Sequence, residues 1–317
     1  MSDLGLTHEI LETGDFLQQA EVIARLCPGF PFVELTPARY KSIFHQPEAK
    51  VLLTRRGGEV VDVGALILRR SRFAKTLVVT VASALQESDF FWRTVVGAAK
   101  GYGASELILE MFGEAAAEVR SFDHETVRHK TQIYVADLTK PDLAADLSSN
   151  HRRNLRKAEA AGFVVSTGDT AEAIENHVRL CGNSNERRAG RGEKIQGNKD
   201  RKSTEAYLAS GCGTLYQAVC AGETLSSILV VRIGSSAYYD TGGTSPEGMK
   251  MGGSHFLMFS VMQILKSQGI LSFSLDVANT EGLIKFKTGF GAREWPLQRV
   301  YIEYPSMIGR LRKLMGR

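Results

Sequence analysis

Cysteine is scarce: four residues in 317, Cys27, Cys181, Cys212 and Cys220, with no CxxC pair among them. That leaves neither a disulfide framework nor a thiolate metal site, and the four read as free thiols in a reducing compartment. The histidines (8, 45, 124, 129, 151, 177 and 255) form no HExxH and no ligand pair with a cysteine, so no metal cofactor is expected. There is no G-x-S-x-G nucleophile elbow and no phosphate-binding P-loop. No run approaches the ~18 uncharged apolar residues that cross a bilayer, and no basic n-region leads an apolar stretch at the start. A cytoplasmic location follows as the expectation. An excess of one charge is missing too. Lys+Arg 39 against Asp+Glu 35 leaves +4, so DNA is not an expected partner and any anion must be met by a local cluster.

What is present is an internal repeat. With 43% hydrophobic and 23% charged residues the chain is globular, and its length accommodates two domains. Phe90–Glu110 (FFWRTVVGAAKGYGASELILE) and Phe256–Asp276 (FLMFSVMQILKSQGILSFSLD) align without a gap. Each is an aromatic-led apolar helix ending in Lys-x-x-Gly (Lys100–Gly103, Lys266–Gly269), then a strand closed by an acid, Glu110 or Asp276. Upstream, Gly58-Glu59 and Gly222-Glu223 mark matching hairpin turns with a two-residue slip. Downstream, Gln132-Ile133-Tyr134-Val135 answers Arg299-Val300-Tyr301-Ile302.

Each copy therefore reads hairpin, third strand, helix, strand and final strand. Copy one is expected to place strands near 50–56, 62–69, 76–82, 106–111 and 131–138, with a helix at 88–101. Copy two opens with a helix at 149–161 and a strand at 163–167, then helices near 171–186 and 203–210. Strands follow at 214–221, 225–233 and 236–241, a buried helix at 253–268, and strands at 271–277 and 295–304. Lys140-Pro141-Asp142 gives the domain boundary, dividing the chain into 1–140 and 141–317.

Three stretches could carry chemistry, and all lie in copy two. Gly242–Ser254 (GGTSPEGMKMGGS) joins a strand to the buried helix. Lys250, Gly252, Gly253 and Ser254 either cradle a phosphate or carboxylate at the helix N-terminus or form a plain loop capped by Ser254. Copy one has no glycine in the corresponding Ser83–Asp89. Asn279–Arg293 (NTEGLIKFKTGFGAR) sets Lys285 and Lys287 on either side of Phe286 and bends at Gly289-Phe290-Gly291. A lysine beside rings can serve as a fixed charge for a phosphate or oxyanion; the alternative is an amphipathic helix with solvated lysines. Ser149–Lys157 stacks Arg152/Arg156 and Arg153/Lys157 at i,i+4, either a phosphate-binding face or a solvated one. The basic stretch Arg187–Lys202 is a substrate loop or an ordinary surface loop. The stripe Met307, Ile308, Leu311, Leu314 and Met315 is a docked terminal helix or a contact with an anionic membrane.

SSNHRRNLRKAEAAGFVV (148–165), SFSLDVAN and GLIKFKTGFGAR resemble the Fem-type branch of the GNAT acyltransferase superfamily, with Phe286–Gly291 as the most specific element. The resemblance covers Leu147–Tyr304 closely and the first half in architecture. It implies an α/β fold of two tandem GNAT-like modules, each a mixed, mostly antiparallel sheet flanked by helices. It implies direct acyl transfer to an amine, with acyl-CoA as donor or, in the peptidoglycan-bridge type, aminoacyl-tRNA. Lys287 would then neutralise a phosphate or the oxyanion, while Arg152, Arg153, Lys285, Phe286, Asn279 and Gly291 would bind substrate. Tyr239 and Asp240 would line the site, with Asp240, Asp276 or His255 as base; Lys250, Gly252, Gly253 and Ser254 would hold the donor. The usual pyrophosphate loop, Arg/Gln-x-x-Gly-x-Gly/Ala, is broken at Lys250-Met251-Gly252-Gly253, which weakens the acyl-CoA reading. The acceptor would be a small-molecule or lipid-linked amine of the cell envelope or a polysaccharide precursor, met at the inner membrane face if 307–317 touches lipid. The rivals are a non-catalytic module that recognises such a precursor, and a nucleic-acid binder using the 152–157 and 187–202 bases.

Overall fold

The computed structural model describes residues 5–12, 48–71, 74–81, 89–112, 121–192 and 201–304. Cys27, His45, residues 83–88 of copy one's connection, 193–200 of the basic stretch and the 307–317 tail lie outside the described residues.

The chain forms two compact units, Met1–Gln132 with Trp295–Arg317, and Ile133–Glu294. This differs from a division at 140/141. The Lys140-Pro141 break is a loop inside the second unit, where the Lys266 ammonium donates to the carbonyls of Lys140 and Pro141. A proline marks where a strand ends, not where a domain does.

In the first unit the strands are β1 (Leu6–Glu12), β2 (Glu48–Arg56), β3 (Glu59–Arg70), β4 (Lys75–Val81), β5 (Glu106–Phe112) and β12 (Arg293–Glu303), side by side in that order. All neighbours are antiparallel except β4 and β5. Helix α1 (Asp89–Gly101) makes the crossover that a parallel pair requires. Its Phe91, Trp92, Val95 and Ala99 fall on one face at helical spacing and are buried against Leu66, Leu77, Leu107 and Leu109.

The second unit repeats this plan. Its sheet runs β7 (Val164–Thr167), β8 (Gly213–Cys220), β9 (Glu223–Ile233), β10 (Ser236–Thr244), β11 (Ser272–Val277) and the Ile133–Asp137 end of β6 (Glu125–Asp137). Again one pair, β10 and β11, is parallel. Helices α2 (Ser149–Ala160), α3 (Ala171–Gly190) and α4 (Arg201–Ala209) come before β8. The short α5 (Pro246–Lys250) and α6 (Gly253–Ser267) precede β11, and α7 (Glu281–Thr288) follows it. Leu257, Met258, Val261, Met262 and Leu265 of α6 pack with Phe273, Leu275 and Tyr134 in one core.

The repeat extends to backbone detail. The β2–β3 turn has φ 58° and 89° at Gly57 and Gly58, and the β8–β9 turn has 51° and 83° at Ala221 and Gly222. Both are the two-residue, left-handed turns that match strand twist. Each hairpin also slips register at the same place ahead of its turn, at Thr54/Arg55 and Ala218/Val219.

One feature of the expected repeat is reversed. The strand from the middle of the chain closes the second unit and the strand from its end closes the first. Gln132–Val135 and Arg299–Ile302 carry the same alternation of side chains, so neither is addressed by pattern to one sheet edge.

Candidate active site

The two parallel pairs differ. In the first unit β4 and β5 stay in register from Thr76/Glu106 to Val81/Met111. There the strand-end acid Glu110 is buried in an ion pair with Arg299 at 2.8 Å. In the second unit β10 and β11 pair only from Ser236/Ser272 to Tyr238/Ser274. Beyond that point β10 slips against β9 between Tyr239 and Thr241, which places an extra residue, Asp240, in the strand. β11 slips against β6 between Ser274 and Val277, and Asp276 takes φ 66°. An L-residue in this left-handed region is uncommon and costs about 1–2 kcal/mol. Both irregularities begin where the β10–β11 ladder ends, and the sheet opens there.

Lys287, on α7, lies at this opening. It is 8% exposed, and its ammonium donates to the carbonyls of Asp276 (3.0 Å) and Val277 (2.5 Å). It sits 5.9 Å from the centre of the Tyr134 ring. Burial lowers its pKa to about 8; the Asp276 charge opposes that shift and the Arg188 charge adds to it. The Tyr239 phenol is held well above its ordinary range by burial and by the neighbouring acidic groups Cys181, Asp276 and Asp240, with Arg188 acting the other way. Tyr239, Asp276, Lys287 and Arg188 therefore share one electrostatic neighbourhood. Asp240 is buried, with the Tyr207 hydroxyl at 3.4 Å from one carboxylate oxygen.

A second group of side chains gathers where α2, α6 and α7 meet. His151 and His255 stack edge to face at 4.7 Å, with Phe286 and Phe290 against them. His151 is buried, its Nδ1 at 2.8 Å from the Ser148 hydroxyl and its Nε2 at 2.9 Å from the Phe286 carbonyl oxygen. Burial and the neighbouring His151 lower the His255 pKa to about 4. Beside them is a cavity of about 560 Å³, with Ser148, Asn150, Lys285 and Thr288 on its wall. A larger cavity of about 760 Å³, in the first unit between Trp92, Lys100, Phe122 and Tyr304, contains none of the expected site residues.

The remaining expected residues divide. Lys285 is exposed and paired with Glu281 at 2.6 Å, so it faces away from Lys287 one position beyond Phe286. Asn279 is exposed, and Lys250 ends α5 on the surface. Arg152 donates to the carbonyls of Leu147 and Ala145, and Arg153 to the Asn150 side chain. These two guanidiniums hold the start of α2. Ser254 Oγ lies 3.5 Å from His255 Nδ1.

The glycines have packing roles. Gly252 has φ 83°, and a Cβ there would lie 2.4 Å from the Asn154 carbonyl oxygen of α2. A Cβ on Gly253 would meet the Phe163 ring at 3.0 Å, and one on Gly291 would meet Asp146 at 2.6 Å. The loop of 242–254 is thus fitted to a neighbouring helix at the place where an anion cradle was one reading of the sequence. Sequence reading missed Arg188, Tyr207, His177 and Cys181. The first lies in a basic run read as a loop, although it is at the end of α3, and the others lie in helices with no motif.

Residues 145–287 match the family model described as an acetyltransferase (GNAT) domain. No curated protein sequence matches the chain. Among solved structures the chain is similar to FemX, with TM-score 0.68, 15% identity, and 98% of this chain and 100% of that one covered. It is similar to a tandem GNAT protein from the clavulanic acid biosynthesis pathway, with TM-score 0.54, 13% identity, and 95% and 99% covered. It is also similar to the C-terminal domain of a putative lysylphosphatidylglycerol synthetase from Agrobacterium fabrum, with TM-score 0.50, 14% identity, and 75% and 80% covered. Over residues 145–287 the chain is thus similar to the acetyltransferase (GNAT) domain family, and its fold is similar to that of FemX and of the tandem GNAT protein.

Proposed function

We propose that the second unit transfers an acyl group from an activated ester or thioester to an amine, at the opening between β10 and β11. The observation that carries this reading is the placement of Lys287, buried with its ammonium on the carbonyls of Asp276 and Val277 at the end of β11, beyond the point where that strand stops pairing with β10. A carbonyl laid along β10 beyond Tyr238 would be polarised by backbone N–H groups of that strand. The amine attacks, the C–N bond forms, and the C–S or C–O bond breaks. Lys287 as ammonium balances the negative charge that develops. Tyr239, a phenol at rest, gives the leaving sulfur or oxygen its proton, and the proton shed by the amine passes through Asp276 to restore the phenol. His255, with a pKa of about 4, is too weak a base for this at neutral pH.

Acyl-CoA is the donor favoured over tRNA by the chain's mild basic excess of +4. A second reading, an aminoacyl-tRNA ester, is supported by one observation: the α6 N-terminus faces the Asn154 carbonyl of α2 across Gly252. A carbonyl dipole at that point disfavours the diphosphate of CoA, which a helix N-terminus would otherwise attract. The likeness to a putative lysylphosphatidylglycerol synthetase agrees with an aminoacyl group delivered to a lipid, although phosphatidylglycerol offers a hydroxyl where the acceptor proposed here is a small-molecule or lipid-linked amine. No helix among the described residues is long and apolar enough to cross a membrane, so a lipid-linked acceptor would be reached from the surface. The test is thermal unfolding with acetyl-CoA, free CoA and aminoacyl-tRNA in turn. Ligand at ~100 times its dissociation constant adds about 2.7 kcal/mol to the folded state. A rise of the midpoint with CoA establishes the thioester donor; a rise with aminoacyl-tRNA alone establishes the ester; none with any of the three removes the proposal.

A further inference from the structure

The β10 bulge is tied to the helix layer by one buried imidazole. His177, on α3, is 2% exposed and meets polar atoms from two strands. Its Nδ1 is 2.9 Å from Ser227 Oγ on β9, and its Nε2 is 3.1 Å from Thr241 Oγ1 on β10. Cys181 Sγ, one turn along α3, is 3.6 Å from the same Nε2. Thr241 Oγ1 is in turn 3.5 Å from Asp240 Oδ2, the residue inserted at the bulge.

The protons can be assigned from these contacts. A carboxylate only accepts, so the Thr241 hydroxyl donates to Asp240 and must receive its own hydrogen bond from His177 Nε2–H. In the Nε2–H tautomer, Nδ1 accepts from the Ser227 hydroxyl, and the chain Ser227, His177, Thr241, Asp240 is satisfied. The packing behind it is close: a Cβ on Gly243 would lie 2.2 Å from the Leu180 backbone, so α3 and β10 are in direct backbone contact here. Arg187 adds a bond from the same helix to the Thr244 carbonyl oxygen at 2.7 Å.

We propose that His177 is a positioning residue for acyl transfer: through Thr241 and Asp240 it fixes the β10 bulge, and with it the backbone groups that receive the donor carbonyl. This rests on the reading of the β10–β11 opening as the acyl site. A buried histidine that only filled space would stabilise the unit without selecting the direction of the bulge. Bulges serve to re-aim groups beside active sites, and a displacement near 1 Å costs on the order of 100-fold in rate.

The experiment compares the wild-type chain with His177→Leu, His177→Gln, Thr241→Val and the double variant His177→Leu/Thr241→Val, using whichever donor the wild type consumes. In His177→Leu, kcat falls about 10- to 100-fold while the donor KM changes less than about 3-fold. His177→Gln, which keeps a donor near the Nε2 position, recovers part of the loss. The double variant is no slower than the worse single one, because both cut the same chain. If His177→Leu does not fold, Thr241→Val carries the test alone and shows the same fall in kcat. Unchanged kcat in a folded variant, or losses that multiply in the double variant, overturns the proposal. A wild-type chain that transfers from no donor overturns the site reading itself, which separates the two failures.

Discussion

Lys287 donates to the carbonyl of Asp276 at 3.0 Å, and Asp276 is held at φ 66° in the strand that carries it. The left-handed residue turns the end of β11 so that its last carbonyls face α7, and the lysine beneath them is buried by the same turn. Copy one has Glu110 at the matching position in an unbroken ladder, answered by Arg299 on β12. Both copies keep the acid. In copy two the cation comes from a helix that lies over an open sheet.

Lys287 should act as a cation. Its pKa of about 8 in the folded chain lies below the ordinary 10.5, so transfer is expected to fall as pH rises through about 8. Lys287→Arg stays charged there and should move that falling limb to higher pH. The linkage has a definite sign: the native state gives up this proton more readily than the unfolded one, so stability rises between about 8 and 10.5 and is lost below. A pH–rate profile of both proteins checks the first point, and melting across the same range checks the second.

Tyr239 cannot be the base, because burial and nearby negative charge keep its phenol protonated. Tyr239→Phe should lower kcat about 10- to 1,000-fold with little change in melting temperature, as expected for a lost proton donor or oxyanion contact. A poor leaving group should suffer more than a good one. Equal losses for both would assign the residue to packing.

His255 should be nearly silent in catalysis, with His255→Phe within about 3-fold of wild type at neutral pH. Its effect belongs to acid stability. Its folded pKa of about 4 lies below 6.5, so its neutral form contributes stability fully above 6.5, and this is lost as pH falls toward 4. Burial moves the His151 pKa the same way. His255→Phe should therefore flatten the melting temperature between pH 6.5 and 4, as read by circular dichroism.

Gly252→Ala should cost roughly 2–4 kcal/mol, from the left-handed backbone and the contact with Asn154. In a unit of this size that lowers the midpoint by about 5–10 °C. A variant with normal melting and weakened donor binding would restore the anion-cradle reading of the loop.

Much of this fold is legible in the sequence, because apolar spacing and turn residues are local signals. The β2–β3 and β8–β9 hairpins, the apolar helices α1 and α6 and the strands that follow them lie where pattern places them. Partner choice is not local, so the exchange of the closing strands β6 and β12 is invisible. The helix α7 was only one reading of a lysine- and glycine-rich stretch, yet it is what buries Lys287 while leaving Lys285 in solvent. Lys287 is marked in the sequence by its place beside Phe286 and the Gly-Phe-Gly bend, and Tyr239 only by the family resemblance. His177 and Tyr207 are not marked, because their importance comes from the chain passing Asp240 from another element.

Single-turnover transfer, with radiolabelled acetyl-CoA and separately with radiolabelled aminoacyl-tRNA, tests the acyl-transfer site most directly. The acceptors are a lysine-containing peptide and vesicles of phosphatidylethanolamine, and wild type is compared with Lys287→Ala. The expected result is label in an amide product from one donor, reduced about 100-fold or more in a Lys287→Ala protein that melts as wild type does. Undiminished transfer by folded Lys287→Ala, or no transfer by wild type from either donor, contradicts it.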